Sequence, residues 1–434
     1  MVTRPTRTPR LTPEARRAQL LDAALDVLTE QGFGAVTVEA VVQRAGVTRP
    51  VVYDLFGDLQ QMMVALIDTA ERTTLEPLLE IVDVHPGDDV DPDRFLHDCV
   101  LAFLRAVKSD PRTWRLVLMP PRGSSVELQQ RIRRSRLLVA DRVTALLDWG
   151  IPRRGGPPGL DHSLAARLIV AAGEDAARLM LAHPRRFTPE LLARQARDFL
   201  RLIPHEPRPH GLPKPELTIP IPRPASPPAA VPGARKRMPQ SQRREQLLDV
   251  TLALLAEEGF GALSMEAIAR RADVNRAVVY RSFANLHVLL AALLHREDKR
   301  MGAMLDELLP AVPTGTAGEL LSLLLARYLG AVVAAPLTWH LALLRPESAP
   351  LTLQKLVNRR RAALAGRLAP LVRWGVAAGG TPRPEVDLEA LGRMLLTVGE
   401  ELGRLALDDP EFPPERLLTG CWTLLNVLDP APGV

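Results

Sequence analysis

Cysteine, aromatic residues and long apolar runs are scarce in this sequence, and each shortage excludes a class of protein. The 434 residues contain only two cysteines, Cys99 and Cys421. With no Cys-x-x-Cys pair and no cysteine–histidine cluster, neither a disulfide scaffold nor a thiolate zinc site is expected. Aromatic residues make up 4% of the chain, which disfavours an aromatic-rich β-sandwich or barrel. The aliphatic residues that dominate instead favour helices.

Signals for membranes, secretion and catalysis are also missing. The longest apolar run, residues 330–344, is broken by Pro336 and His340 and is too short to cross a bilayer. The basic residues 1–17 have no apolar signal segment, so no membrane association is expected and the expected location is the cytoplasm. No GxSxG, P-loop, HExxH or dinucleotide motif occurs in its required context, and the histidines show no ligand spacing. We therefore expect no enzyme, no cofactor and no metal.

What the sequence does contain is an internal duplication. RRAQLLDAALDVLTEQGFGAVTVEAVVQRAGVTRPVVYDLF, from Arg16, aligns without a gap to RREQLLDVTLALLAEEGFGALSMEAIARRADVNRAVVYRSF, from Arg243, and about half of the positions are identical. Later, DPRTWRLVLMPP resembles APLTWHLALLRP, and GEDAARL resembles GEELGRL. Repeats of about 200 residues are too long for a solenoid and fit two homologous domains. A proline-rich segment, residues 204–239, separates them and predicts an extended linker. Whether it is a free spacer or packs along a domain is open.

Capping residues divide the start of each copy into short helices. Apolar residues at helical spacing end at Gly32, which can adopt the left-handed conformation that closes a helix. Thr37 then offers its hydroxyl to the free N–H groups of a second helix, residues 38–44, and Ser264 does so in the second copy.

A short turn leads to a third helix, residues 49–55. Thr48 is expected to cap it, and Pro50 lies in its first turn, where a missing N–H costs little. Asp58, or Asn285 in the second copy, is expected to cap a longer fourth helix. Two short helices joined by a tight turn, the second opening with polar and basic side chains, form a helix-turn-helix.

The two motif segments read TVEAVVQRAGVTRPVVYDLF, from Thr37, and SMEAIARRADVNRAVVYRSF, from Ser264. Both resemble the N-terminal signature of the TetR family of one-component transcriptional regulators. The resemblance implies an all-α chain of two TetR-like units, each a helix-turn-helix head followed by a helical domain for ligand binding and dimerisation. The boundaries it implies are residues 1–60 for the first head with a basic N-terminal arm, 61–203 for the first regulatory and dimerisation domain, 204–239 for the linker, 240–287 for the second head, and 288–434 for the second regulatory and dimerisation domain.

The sequence departs from the family signature at three positions in each copy. Each departure removes a group expected to contact phosphate, so DNA affinity would rest on other groups. The glycine of the recognition helix is Pro50 and Ala277, the tyrosine or histidine before the phenylalanine is Leu55 and Ser282, and the lysine that opens the fourth helix is Leu59 and Leu286.

The first residues of a recognition helix reach base edges in the major groove. Arginine can pair there with guanine and asparagine with adenine. The family resemblance adds a tyrosine one turn on that points to the phosphate backbone; the alternatives are a tyrosine packed on the first helix and a solvated arginine. The predicted DNA-binding residues are Thr37, Arg44, Thr48, Arg49, Pro50 and Tyr53 in the first copy, and Ser264, Arg271, Asn275, Arg276, Ala277, Tyr280 and Arg281 in the second.

Charge around the two heads is unequal. Asp54 and Asp58 flank the first recognition helix, whereas Arg281 and the neutral Asn285 occupy these positions in the second copy. The second head should therefore attract phosphates more strongly. A basic arm precedes each head, and such an arm can lie in the minor groove or be a solvated tail. The arms contain Arg4, Arg7, Arg10, Arg16 and Arg17, and Arg235, Lys236, Arg237, Arg243 and Arg244.

The resemblance also implies that the chain is a covalent pseudo-dimer. Family members pair through their last two helices, and these helices occur twice here. Residues 164–181 with 191–202 would face 388–405 with 417–428. Two unlike recognition helices predict a double-stranded DNA operator that is an imperfect palindrome. Glycines at equivalent positions could allow close helix approach, and an i,i+4 ion pair could follow each. These are Gly173 and Gly399, and the pairs Glu174–Arg178 and Glu400–Arg404.

Three further predicted helices, residues 95–107, 113–119 and 126–149, could surround a pocket for an apolar small-molecule effector, as could their second-copy counterparts. The pocket candidates are Trp114, Arg115, Trp339 and His340. A core role is the favoured interpretation of the tryptophans. The predicted function is thus a transcriptional regulator, a repressor released by a ligand. The alternative is a ligand-binding or scaffold protein whose heads no longer bind DNA.

Overall fold

The computed structural model describes residues 11–31, 35–82, 87, 89–118, 126–200, 238–259, 262–309, 314–343, 351–378 and 388–428. Every regular element in these segments is an α-helix, which confirms the all-α prediction. Residues 1–10 of the first arm, residues 235–237 of the second and almost all of the linker lie outside the described residues.

The helices of the first copy follow the predicted order. They are α1 (Pro13–Gln31), α2 (Val38–Ala45), α3 (Arg49–Phe56), α4 (Leu59–Val82), α5 (Pro92–Ser109), α6 (Pro111–Leu118), α7 (Val126–Arg154), α8 (His162–Ala182) and α9 (Pro189–Leu200). The second copy repeats the series as α10 (Gln240–Glu258), α11 (Met265–Arg271), α12 (Arg276–Ser282), α13 (Leu286–Leu308), α14 (Ala317–Ala334), α15 (Pro336–Ala342), α16 (Leu351–Ala378), α17 (Leu388–Asp408) and α18 (Pro414–Leu428).

The chain divides into two compact units that do not follow the duplication. The first unit comprises residues 1–85, 102–139 and 177–189, and the second comprises residues 86–101, 140–176 and 190–434. Parts of α5, α7 and α8 from the first copy therefore belong to the same unit as the whole second copy.

In the first unit, α1 to α4 form a head around an aliphatic core. Leu20, Val41, Val52 and Met62, one from each helix, are completely buried. Leu116 from the short helix α6 joins the same core. Burying each such side chain contributes on the order of 1.5–3 kcal/mol, so the head is held together mainly by aliphatic packing.

In the second unit, α10 to α13 repeat this head with the same positions inside. Leu247, Ile268, Val279 and Leu289 are completely buried, and Leu341 from α15 completes the core. The match between the two cores confirms that the duplication extends to the packing of the helices.

The C-terminal helices of the second unit pack around α14. Leu329 on α14 is buried with Leu402 of α17 and with Phe412 and Leu417 at the start of α18. By length and composition alone α14 is also the one described helix apolar enough to cross a membrane. Its buried side packs against α17 and α18, whereas Leu323 and Val333 on the same helix are exposed.

Two predictions about the last helices are wrong in the second copy. A Cβ added at Gly399 would meet no described atom within 4 Å, so the described residues show no close helix approach that depends on this glycine. The pair Glu400–Arg404 does not form either, because each residue has another partner. Glu400 accepts from Nε of Arg361 at 2.7 Å, and Arg404 donates to Glu401 at 3.0 Å.

Candidate DNA interface

The first helix of each helix-turn-helix begins at a predicted cap. The Thr37 hydroxyl accepts from the N–H of Ala40 at 3.1 Å, and the Ser264 hydroxyl accepts from the N–H of Ala267 at 3.0 Å. These hydroxyls satisfy free N–H groups at the starts of α2 and α11. Thr37 and Ser264 thus position the motif, whatever they contribute to DNA contacts.

The two recognition helices, α3 and α12, begin differently. Asn275 accepts from the N–H of Ala277 at 2.9 Å, which caps α12. Thr48 occupies the corresponding position before α3 but makes no side-chain capping bond, so the predicted cap at Thr48 is wrong. The counterpart of Ala277 is Pro50, which has no N–H to donate. The exposed Thr48 hydroxyl is therefore left for other partners.

The first arginine of each recognition helix is exposed and lies beside a glutamate of the preceding helix. Arg49 contacts Glu39 at 2.6 Å, and Arg276 contacts Glu266. The arginine side chains are 58% and 56% exposed. Ion pairs this exposed are weak and screened by salt, so either arginine can exchange its glutamate for a base or a phosphate.

A tyrosine follows each arginine by one helical turn and faces solvent. Tyr53 is 51% exposed and Tyr280 is 41% exposed, which favours the predicted outward position over packing on the first helix. The Tyr280 hydroxyl accepts from Nη2 of Arg276 at 3.1 Å, and the guanidinium lies 5.3 Å from the ring centroid. The Tyr280 hydroxyl, and after it Glu266, raises the pKa of Arg276.

The predicted contacts Arg44 and Arg271 are engaged inside their heads. Arg44 donates to Glu30 at 2.9 Å, and this hydrogen bond raises the pKa of Arg44 and lowers that of Glu30. Arg271 donates to both carboxylate oxygens of Glu257 at 2.8 and 2.9 Å. Each pair joins the end of the first helix to the end of the second. Their contact with DNA stays a prediction.

Sequence reasoning missed one interaction and misplaced the residues that make it. The sequence places Arg17 and Arg244 in the basic arms, but they lie inside α1 and α10. Arg17 donates to the carbonyl of Leu55 at 3.0 Å and lies 4.4 Å from the ring centroid of Phe56.

Arg244 repeats this arrangement in the second head. It donates to the carbonyl of Ser282 at 2.9 Å and lies 4.1 Å from the ring centroid of Phe283. These arginines hold the C-terminal ends of the recognition helices against the first helices, where a cation also suits the helix dipole. The sequence contained a signal for this role, because the aligned repeat has an arginine at this position in both copies. Arg16 and Arg243 likewise lie within helices, and each donates to a glutamine one turn on.

The charge difference between the heads is carried by exposed side chains. Asp54 on α3 and Arg281 on α12 occupy equivalent positions, and both are exposed. Asp58 accepts from the N–H of Gln61 at 2.7 Å and Asn285 from that of Val288 at 2.9 Å, so both predicted caps of the fourth helices are confirmed. The second head therefore presents the more positive recognition helix.

The predicted pocket residues fall into a core pair and a surface pair. Trp114 is 5% exposed and packs edge-to-face on Phe103 at 5.4 Å. Trp339 is 3% exposed and packs in the same way on Tyr328 at 5.1 Å, so both tryptophans lie in the helical core. Arg115 is exposed and His340 is half-buried beside an aspartate. Within the described part of the chain, no three His, Cys, Asp or Glu side chains are grouped as a metal site would need.

A helix-turn-helix whose apolar side is buried and whose exposed side carries Arg and Tyr is typical of a DNA-binding head, and this chain contains two such heads. The family profile described as "Bacterial regulatory proteins, tetR family" matches residues 20–66 and again residues 247–293. The chain therefore carries the N-terminal domain of this family twice.

Individual relatives match parts of the chain. The HTH-type transcriptional repressor KstR of Mycolicibacterium smegmatis is 36% identical over 98 residues, which are 23% of this chain and 47% of KstR. The HTH-type transcriptional activator FasR of the same species is 26% identical over 176 residues, 41% of this chain and 77% of FasR. A TetR-like regulator from Rhodococcus sp. RHA1 superimposes with a TM-score of 0.36 at 22% identity, covering 45% of this chain and 99% of that one. The chain spans about half or less of the length of the KstR relatives it matches.

Proposed function

We propose that the protein is a cytoplasmic, sequence-specific DNA-binding transcriptional regulator in which the two heads of one chain bind one operator. The observation that carries the proposal is the repeated surface of the recognition helices. Both present an exposed arginine in the first turn and an exposed tyrosine one turn later, above a completely buried valine. Arg49 and Arg276 would read guanine, and Tyr53 and Tyr280 would contact phosphates.

The two heads are proposed to read different half-sites. In the first, the free Thr48 hydroxyl precedes Arg49; in the second, Asn275 is engaged as a cap beside Arg276. The more basic second head would bind its half-site more tightly and lose more affinity as salt rises. The operator is therefore an imperfect palindrome with one strong half-site.

We propose further that the two copies form the pseudo-dimer within one chain. Support comes from side chains of α8 in the first copy that contact the last helices of the second. Asp161 accepts from Nε of Arg416 at 2.7 Å, and Nη2 of Arg167 lies 2.9 Å from Asp409. A linker of this length keeps the copies at millimolar effective concentration, so pairing would not depend on expression level.

An apolar small molecule is the proposed effector, and repression is the proposed effect on transcription. The short helices α6 and α15 support a ligand response, because Leu116 and Leu341 connect them directly to the cores of the heads. Three of the matching relatives are named repressors and one is named an activator, which favours repression.

The experiment is a binding-site selection with the full chain, followed by mobility-shift titration of the selected site at low and moderate salt. We expect the selected site to be an imperfect palindrome that single chains bind. Its complex should persist at a salt concentration at which random DNA is released. Arg276→Ala should lower affinity about five- to a hundredfold and relax one half-site, and Arg49→Ala should relax the other. Lys299→Ala, on the exposed side of α13 and more than three turns past its start, removes the same charge and should change affinity less than twofold.

The outcomes separate the proposal from its alternative. Binding of bulk DNA only, or no binding, would identify a scaffold or ligand-binding protein with inactive heads. A perfect palindrome would contradict the unequal heads, and a complex with two chains per site would contradict the single-chain pseudo-dimer. Thermal-shift screening of apolar compounds, followed by the mobility shift in their presence, tests the effector.

A further inference from the structure

Two ion pairs and one phenylalanine connect the start of α8 with the start of α18 in the second unit. Asp161 accepts from both Nε and Nη2 of Arg416, at 2.7 and 3.1 Å. Arg167 reaches Asp409 at 2.9 Å, and these two side chains are only 18% and 15% exposed. The guanidinium groups of Arg416 and Arg167 lie 4.4 and 5.5 Å from the ring centroid of Phe412, which is completely buried. Partly buried charges in such an arrangement discriminate strongly between partners.

The groups supplied by α8 occur in both copies. The alignment of α8 with α17 places Asp387 opposite Asp161 and Arg393 opposite Arg167. Asp387 lies outside the described residues. Each half of the chain therefore has the aspartate and the arginine that dock.

Of the groups that receive them, the phenylalanine recurs in the first copy as Phe187, but the two charged groups do not. The counterpart of Asp409 is His183, and the counterpart of Arg416 is Leu191. Arg185 and Arg186 also make the loop of the first copy basic where the second copy has the acidic Glu411. In a pair of two first halves, Arg167 would thus meet a basic loop and Asp161 would meet leucine.

Shape agrees with charge at this contact. A Cβ added at Gly420 of α18 would lie 2.7 Å from Cδ2 of Leu164 and 3.3 Å from Cβ of Asp161, so a larger residue there would force both side chains to shift. The counterpart of Gly420 in the first copy is Gln195. A first half therefore leaves less space for Leu164 in its present conformation.

We infer that the pairing surface is one-directional: Asp409, Phe412, Arg416 and Gly420 of the second half form a receptor for the start of α8, and no such receptor exists in the first half. This inference rests on the proposed pseudo-dimer and adds which halves can pair. First halves cannot pair with each other through this surface. Second halves of two chains can, and the linker favours the intrachain pair over that competitor.

The test uses the full chain with a specific protease site inserted in the linker. The folded chain is cut at this site, and the products are analysed by native mass spectrometry at micromolar concentration. We expect complexes of one first half with one second half, some second-half dimers, and first-half dimers at less than a tenth of the mixed complex. First-half dimers as abundant as mixed complexes would overturn the inference. Complete separation of the cut halves would instead overturn the proposed pseudo-dimer.

Variants of the first half make the test reciprocal. His183→Asp, Leu191→Arg and Gln195→Gly together supply the missing receptor and should raise first-half dimers at least tenfold. Arg194→Ala, on the exposed side of the same helix, should leave them unchanged. No increase with the triple variant would contradict the assignment of these residues.

The uncut chain provides a second measurement that does not need separated halves. Asp409→Arg should speed amide hydrogen exchange at the start of α8 about tenfold, because it faces Arg167. Arg167→Asp combined with Asp409→Arg restores the pair with reversed charges and should bring exchange back to within about threefold of the wild type. If amide exchange in the double variant is no slower than in Asp409→Arg alone, the ion pair does not select the partner.

Discussion

Replacing Glu297 with alanine should destabilise the second head and the helix beneath it by about 2–3 kcal/mol. The carboxylate of Glu297 on α13 is only 2% exposed. It accepts from the hydroxyl of Thr338 on α15 at 2.6 Å, from Nε of Arg296 at 2.8 Å and from Nη1 of Arg300 at 3.0 Å. The alanine variant removes the one acidic group that all three donors share.

The magnitude follows from what each donor loses. The buried Thr338 hydroxyl loses its acceptor, which costs about 1–3 kcal/mol. Arg296 is 12% exposed but keeps Glu245 at 2.9 Å and Asp249 at 2.7 Å, so its loss is well below the about 3–5 kcal/mol of an unpaired buried charge. Arg300 is 46% exposed and loses almost nothing. Folding of the alanine variant also no longer has to bury a carboxylate, and this gain offsets part of the stability that the three donors lose.

The assay is hydrogen exchange of the full chain, read on peptides from α13 and α15. A loss of about 2–3 kcal/mol appears there as exchange roughly thirty- to more than a hundredfold faster. The matched control is Glu245→Ala, which removes a 56% exposed partner of the same arginine and should cost about 0.5 kcal/mol or less.

A double variant identifies the hydrogen bond itself. Glu297→Ala with Thr338→Val should cost about 1–2 kcal/mol less than the two single changes added together, because neither change leaves the other's partner unpaired. The first copy has Ala70 at the position of Glu297 and Thr113 at the position of Thr338, which is the combination that the single variant Glu297→Ala creates. The reasoning is refuted if Glu297→Ala and Glu245→Ala cost the same, or if the double variant is strictly additive.

Three further predictions concern single residues. Arg244→Ala should destabilise the second head by about 1–2 kcal/mol and expose α12 to exchange, whereas Arg243→Ala should not; equal effects would contradict the role of Arg244 as a clamp. Asp273 has a φ of +50°, so Asp273→Gly should raise the free energy of unfolding measured in urea by about 0.5 kcal/mol. A lower free energy of unfolding would show that the turn is unstrained. Burial raises the pKa of Cys99 to about 11 and that of Cys421 to about 12, so thiol reagents at pH 8 should modify neither until unfolding; rapid modification would contradict their burial.

The heads were predictable from sequence because local chemistry determines them. The side-chain caps at Thr37 and Asp58 and the apolar spacing act over a few residues, and the caps recur at Ser264 and Asn285. The failures have longer-range causes. Arg17 contacts a helix 38 residues away, and Glu400 pairs with Arg361 of another helix rather than with its neighbour. The cap at Thr48 failed because a proline two residues on removed the donor, a loss that was readable from the sequence.

The unlike first turns of α3 and α12 also affect how this protein can evolve. In a homodimer, every substitution in a recognition helix appears in both half-sites at once, so a new base preference must suit two positions of the operator together. Here a substitution at Thr48 or Asn275 alters one head and leaves the other as an anchor. If both heads bind one operator, recognition can move to new DNA one half-site at a time, and the partner head keeps the complex bound during the change.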